Sequence, residues 1–224
     1  MTEASHLTLT RTAYDTVAAD YARLVPPSFE DDLHGRAMIG TFAELVRAGG
    51  PVADLACGPG HVTAHLHALG LAAFGVDLSP QMVAVARRSY PDLRFEEGSV
   101  TGLALADGSL GGALAWYSTV HTPPELLPEV FTEVHRVLAP GGRLLIAFKA
   151  GEQHRHLAHA YGHDLSLEVY WVAADRFAAL LGRAGFEVEA RLVCEPGPGQ
   201  LSQQGYFLAR RPDGPSGLSG PAAG

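Results

Sequence analysis

The chain has 224 residues, 47% hydrophobic and 18% charged, with a formal net charge of −8. These values describe a folded globular chain of one domain, or of one domain with additions, and they exclude a disordered chain. They also exclude a nucleic-acid binder built on a cationic stripe, since adjacent arginines occur only at Arg87-Arg88 and Arg210-Arg211. Cys57 and Cys194 make neither a metal knuckle nor a disulfide framework. The opening MTEASHLTLT shows no basic segment leading into an apolar run, and no apolar stretch is long enough to span a bilayer. The expectation is a soluble cytoplasmic protein with neither a nucleic-acid nor a membrane partner.

In chain order, TRTAYDTVAADYARL (10–24) predicts a helix with Tyr14, Val17 and Tyr21 on one face, ended by Pro26-Pro27. A second helical pattern runs from about Ser28 to Ala48 and stops at Gly49-Gly50. Strand and helix patterns then alternate. VADLA is a strand, HVTAHLHAL a helix, LAAFGVD a strand, and SPQMVAVARRSY a helix with Ser79 at the N-cap and Pro80 at its first position. DLRFEEG and GGALAWYS are strands, PPELLPEVFTEVHRVL a helix separated by APGG from the strand RLLIAFKA, and AADRFAALLGRAG a helix with Asp175 as candidate cap. FEVEARLV and GYFLARR close the chain as two strands with no helix between them, so they pair antiparallel. The alternation predicts a mostly parallel sheet covered on both faces. PDGPSGLSGPAAG reads as a flexible tail.

In such sheets ligands sit at the carboxyl ends of the strands, so the loop after the first strand is the expected binding place. Gly58 and Gly60 bracket Pro59 there. A dinucleotide fingerprint needs a third glycine where Thr63 stands, which argues against NAD. The second strand ends in Asp77, where an acidic side chain meets ribose hydroxyls.

VADLACGPGHVTAHL, GVDLSPQMV, FEEGSV, LALADGSLGGALAWYSTVHT and VLAPGGRLLIAF, in that order, resemble the motifs of class I S-adenosylmethionine-dependent methyltransferases. YDTVAADYARL resembles the opening helix of small-molecule members, and the pattern is similar to actinobacterial enzymes of secondary metabolism. The resemblance implies a Rossmann-like α/β fold: a mostly parallel seven-stranded sheet with an antiparallel last strand and helices on both faces. It implies S-adenosylmethionine as cofactor, S-adenosylhomocysteine as product and a small-molecule acceptor. It places Asp54 on the methionine ammonium, Ala56, Gly58 and Gly60 along methionine and ribose, and Asp77 on both ribose hydroxyls. Leu78 and Met82 are to pack on the adenine, Ser99 and Val100 to flank its edge, and Tyr14 and Tyr21 to form a lid. The sequence departs from the family pattern at Ala56, where a glycine is usual, and at Ser99 and Gly111, where acidic residues are common.

For the chemistry, WYSTVHT (116–122) follows the fourth strand, opposite the expected sulfonium. His121 is the candidate base and Tyr117 a substrate or methyl contact, with His121 as a cap of the next helix the plainer alternative. Trp116 belongs with the cofactor-end residues, as packing more than as a stacking surface. In EQHRHLAHAYGHD (152–164), His156, His159 and His163 at i, i+3, i+7 would share a helix face. Substrate contact by His154, His156 or His159, beside Tyr14 and His121, is expected. A metal completed by Asp164 or Glu168 is the alternative, and no metal is expected. Cys57 reads as a small buried residue and His135-Arg136 as a solvated helix face.

The expected organisation is an N-terminal helical lid (1–48), a core (49–211) with a substrate-covering insertion (151–170), and the tail (212–224). The expected activity is methyl transfer to a small molecule, at oxygen before nitrogen or carbon, by a monomer or homodimer. The rivals are a non-methylating enzyme that binds the same cofactor and a non-catalytic binding protein of this fold.

Overall fold

A computed structural model of the chain describes residues 3–197 and 199–213. Part of the predicted tail, 214–224, lies outside the described residues. Three helices lead: α1 (Glu3–Leu24), α2 (Pro26–Glu30) and α3 (Leu33–Val46). The core follows as β1 (Val52–Leu55), α4 (His61–Ala68), β2 (Ala73–Asp77), α5 (Pro80–Ser89), β3 (Phe95–Glu97), β4 (Leu110–Trp116), α6 (Leu127–Val137) and β5 (Leu138–Ala150). Then come β6 (His154–Ala160), β7 (His163–Tyr170), α7 (Ala174–Arg183), β8 (Glu187–Cys194) and β9 (Gln203–Arg210).

Among the described residues, seven strands make one sheet in the order β3-β2-β1-β4-β5-β9-β8. The pairs from β3 to β5 are parallel, and β9 runs antiparallel to both β5 and β8. Strand alternation sorts the core. Ala53, Leu55, Ala115, Ile146 and Phe148 face α6 and α7, while Val52, Leu114, Leu145 and Leu208 face α3 and α4. Order reverses between β1 and β4, and their carboxyl ends open the crevice where ligands settle in such sheets.

The predicted helix over 28–48 is two helices. Asp32 stops the first run and N-caps α3, its carboxylate accepting from Gly35 N at 2.8 Å. Asp175 is not a cap; Ala173 holds the N-cap of α7 and Asp175 pairs with Arg191 outside it. Nor are His135 and Arg136 a bare solvated face. Arg136 bridges Glu133 and Asp107, and His135 packs edge-on against Phe186.

The largest correction is the segment 154–163. It forms an antiparallel β6–β7 ribbon, not a helix, so the i, i+3, i+7 face does not exist. The ribbon packs on α1, where Leu165 and Tyr161 join Val17, Ala18 and Met82, and where His163 meets Asp20 at 2.8 Å.

Gly111 shows why no aspartate stands there. A Cβ on Gly111 would lie 2.2 Å from the carbonyl oxygen of Gly49, so β4 touches the α3–β1 turn backbone to backbone. Gly111→Ala is therefore expected to destabilise the fold by about 1–3 kcal/mol or more. Urea unfolding reads this as a lowered midpoint, and an unchanged midpoint contradicts the close approach.

Candidate functional site

A cavity of about 1330 Å³ opens over the carboxyl ends of the sheet. That is larger than most single-ligand pockets, which run to roughly 1,000 Å³, so it has room for a cofactor and an acceptor together. β1 and β2 bring Asp54 and Asp77 to one end. The segment after β4, the end of β5 and the β8–β9 loop build the other, and α1 and the β6–β7 ribbon roof both.

At the first end, Asp54 is 1% exposed. One oxygen, Oδ2, accepts from Thr63 Oγ1 at 2.6 Å, while Oδ1 is buried with no hydrogen-bond partner. Burial pushes its pKa up to about 7; the Thr63 hydroxyl opposes this and the Asp77 charge adds to it. An orphaned buried carboxylate oxygen in a cavity wall calls for a cationic donor from a ligand.

Asp77 is fully committed on its protein side. Oδ2 accepts from Gly58 N at 2.7 Å and Oδ1 from Ser79 N at 2.8 Å. Burial raises its pKa to about 6 against the pull of these two bonds. Each oxygen keeps a second lone pair, and Asp77 lines the cavity, so it can accept from a pair of vicinal hydroxyls. Gly58 sits at φ +54 with only the Tyr21 ring, 3.8 Å away, near its missing Cβ, so the loop backbone is open to a ligand. Ala56 takes the same left-handed region at φ 57 without being glycine, a conformation that costs an L-residue roughly 1–2 kcal/mol.

The predicted residues divide as follows. Tyr14, Tyr21, Asp54, Ala56, Gly58 and Asp77 line the cavity, and so do Leu78, Ser99, Val100 and Trp116. Gly60 and Met82 do not. Gly60 starts α4 at φ +85, and a Cβ there would lie 2.7 Å from Phe95, so its role is turn and packing. Met82 is wholly buried under α1 with Val17, Ala18 and Val85. The Ser99 hydroxyl is turned to Thr101 Oγ1 at 2.9 Å.

At the second end, His121 does not cap α6, which starts at Leu127 without a side-chain cap. Its Nδ1 lies 2.7 Å from the Glu168 carbonyl and its Nε2 2.7 Å from Tyr14 Oη. The carbonyl can only accept, so Nδ1 carries the proton, Nε2 accepts, and the Tyr14 hydroxyl donates. Burial lowers the His121 pKa to about 4, leaving the ring neutral at physiological pH. Tyr117 sits at φ 54, a strained position for a tyrosine, and its hydroxyl meets Tyr206 Oη at 3.1 Å. Tyr206 in turn donates to Asp32 Oδ2 at 2.8 Å. Trp116 lies between Phe29, Tyr117 and Tyr206.

His154, His156 and His159 do not line the cavity. They are exposed on the ribbon, His154 and His156 both clamped to Glu168 and His159 to Asp164, while Leu157, Tyr161 and Val169 face inward. Among the described residues no group of three or more His, Cys, Asp or Glu side chains is placed to hold a metal.

Three contributors were not legible in sequence. Thr63 fixes Asp54, although its position looked only like an absent glycine. Asp15 of α1 accepts from Ser79 Oγ at 2.5 Å and from Gln81 N, tying the roof to the turn that carries Asp77. Tyr161 covers Tyr21 from the ribbon, ring centroids 4.9 Å apart. Hydropathy marks none of them, because each acts through a partner distant in sequence.

The sheet order, the glycine-loop crevice and the two buried carboxylates define the Rossmann-like fold of class I S-adenosylmethionine-dependent methyltransferases. Residues 52–142, about two fifths of the chain, match the family described as a methyltransferase domain. The chain is 37% identical over 92 residues to a demethylmenaquinone methyltransferase of Chlorobaculum parvum and 38% over 101 residues to that of Beutenbergia cavernae. These matches cover 41% and 45% of this chain but only 37% and 41% of the relatives, so the chain spans about two fifths of their length. Among solved structures, it is similar to the 1,6-didemethyltoxoflavin-N1-methyltransferase of Burkholderia thailandensis with bound 1,6-didemethyltoxoflavin and S-adenosylhomocysteine. The TM-score is 0.73 at 21% identity, over 95% of this chain and 92% of that one. No helix among the described residues is long and apolar enough to cross a membrane.

Proposed function

We propose that this chain transfers a methyl group from S-adenosylmethionine to a small-molecule acceptor, at oxygen in preference to nitrogen or carbon. The observation that carries the reading is Asp54 Oδ1, buried, unpartnered and set beside Asp77 in a cavity large enough for two ligands. The residues fit the cofactor: Asp54 takes the ammonium, Asp77 the ribose hydroxyls, and Leu78, Ser99 and Val100 surround the base. When bound, the cofactor supplies a methyl already activated on a sulfonium. The protein's task is then alignment of the nucleophile, which can supply roughly 7–11 kcal/mol.

Tyr14 and Tyr21 act as the lid, with α1 held down by Asp15 on Ser79 and His163 on Asp20. The segment 151–170 covers the acceptor end, contributing Leu157, Tyr161 and Val169 rather than histidines. His121 orients Tyr14 and receives a proton at Nε2 when an acceptor hydroxyl replaces that phenol. With its pKa near 4 it is a weak base, suited to an acceptor whose hydroxyl is acidic, and this supports oxygen over an amine.

Two measurements test the reading. Calorimetry with S-adenosylmethionine and S-adenosylhomocysteine should show binding, and no heat at millimolar ligand ends it. A labelled-methyl assay over phenols, carboxylates and amines should show transfer to the oxygen nucleophiles. His121→Ala should leave cofactor affinity unchanged and lower kcat about 100-fold. At saturating cofactor the wild-type profile should carry no limb near pH 6.5, because His121 is in its accepting form at all pH values above about 4. Full turnover in His121→Ala removes it from the reaction.

A further inference from the structure

Of the 16 Lys and Arg residues in the chain, one is a lysine, Lys149. The arginines include many in ion pairs: Arg136 with Glu133 and Asp107, Arg143 with Glu189, Arg210 with Glu187. Lys149 is placed differently. At the end of β5, strand alternation sends Phe148 and Ala150 into the core with Phe177 of α7, and puts Lys149 in the wall of the cavity. Its ladder partner on β9, Gln204, lines the same cavity. The Nζ lies 5.8 Å from the centre of the Tyr117 ring, and its charge acts on His121. Lys149 is therefore at the acceptor end, beside the aromatic wall of Trp116, Tyr117 and Tyr206.

Among the described residues Lys149 has no carboxylate partner. The acidic side chains around the cavity are engaged elsewhere or point to other work. Asp32 accepts from Gly35 N and Tyr206 Oη, and Glu195 accepts from the Gln203 amide. Asp31 is exposed, and Asp54 and Asp77 belong to the cofactor end. A half-buried ammonium with no counter-ion among the described residues loses hydration that they do not return. Burial accordingly draws its pKa below the usual lysine value. A ligand oxyanion at this point would restore that loss, and the mostly edge-to-face cluster of Trp116, Tyr117 and Tyr206 next to it offers ring contacts to a planar ligand.

We propose that Lys149 is the specificity-determining residue for the methyl acceptor, its ammonium holding an oxyanion of a small planar molecule, a carboxylate or an ionised phenol. This rests on the reading of the second end of the cavity as the acceptor site.

A chain with one lysine makes the test direct. Lysine labelled with ¹³C at Cε gives a single side-chain signal. With S-adenosylhomocysteine present, that signal is followed on adding benzoate, salicylate or 4-nitrophenolate, and on adding the neutral isosteres benzamide and salicylamide. The expected result is a shift, and a raised titration midpoint for the lysine, with the anions only. A response to carboxylates alone, or to 4-nitrophenolate alone, supports the proposal and identifies the oxyanion. Lys149→Met should weaken the responding anion about ten- to hundredfold, with S-adenosylhomocysteine affinity unchanged, and Lys149→Arg should retain most of the binding. A lysine signal that no anion moves, neutral isosteres that bind as tightly, or anion binding unaltered in Lys149→Met overturns it. If S-adenosylhomocysteine itself gives no heat in calorimetry, the methyltransferase reading fails instead, and the lysine signal without it still decides the oxyanion site.

Discussion

Asp77→Ala is expected to weaken S-adenosylmethionine binding by about two orders of magnitude or more, measured by calorimetry. Hydrogen bonds to a charged group contribute about 1.5–3 kcal/mol each, and the proposed ribose contact removes two of them. The substitution also leaves Gly58 N and Ser79 N, now bonded at 2.7 and 2.8 Å, without acceptors, and these two donors shape the loop on both sides of the crevice. Asp77→Asn separates the parts: it keeps a carbonyl for one donor, loses the charge, and should fall between wild type and alanine. Affinity unchanged in Asp77→Ala would refute the ribose role.

Asp54→Asn carries the second large effect, and its signature is a proton. With a pKa of about 7 in the ligand-free fold, Asp54 is mostly protonated below that pH. Holding an ammonium requires the carboxylate. Binding therefore draws a proton off Asp54, and affinity should rise as pH climbs from about 5 to about 7 and level off above it. Calorimetry in buffers of different ionisation enthalpy should show close to one proton released from Asp54 per cofactor near pH 6, beside the fraction given up by Asp77 with its pKa of about 6, and the Asp54 share should vanish in Asp54→Asn. The variant should also bind about 30-fold or more weakly at pH 8, where the charge pair is fully formed. A proton count that Asp54→Asn leaves unchanged removes Asp54 from the ammonium.

The same shift acts on stability with the opposite sign to a salt-bridged carboxylate. Because the folded pKa stands above the ordinary value of 3.8, ionising Asp54 works against the ligand-free fold. Its effect appears as stability lost between about pH 4 and pH 7, and Asp54→Asn should flatten that part of the profile.

Much of the core was legible because its signals are local. VADL, AFGVD and LGGALAW are apolar runs bounded by turns, and Ser79-Pro80 announces α5, where Ser79 does cap Met82 N. The mostly parallel α/β sheet, the antiparallel pairing of the last two strands and the position of Asp77 follow from order and spacing, while the Rossmann-like class came from the resemblance of the motifs. The β6–β7 ribbon was misread because HRHLAHAYGHD mixes helix formers with histidines that fall at helical intervals. An exposed two-stranded ribbon has no buried face strong enough to impose a clear period of two. Gly60 and Met82 were misplaced for a related reason. Resemblance assigns a position in a motif, whereas facing the cavity depends on a rotation of the chain that only the packing against Phe95 and α1 sets.

By itself the sequence determined most of the core elements and their order, and placed two aspartates at or near the ends of two successive strands, since these depend on periodicity and turn chemistry within short windows. The tertiary structure decided everything that needs two distant segments at once. It joined Thr63 to Asp54 and left the other oxygen bare. It set the His121 tautomer through a carbonyl on β7 and a phenol on α1. It brought the chain's single lysine into the cavity wall with no carboxylate partner among the described residues. Hydrogen bonding and desolvation act over a few ångströms in space, and no spacing along the chain encodes which groups come within that reach.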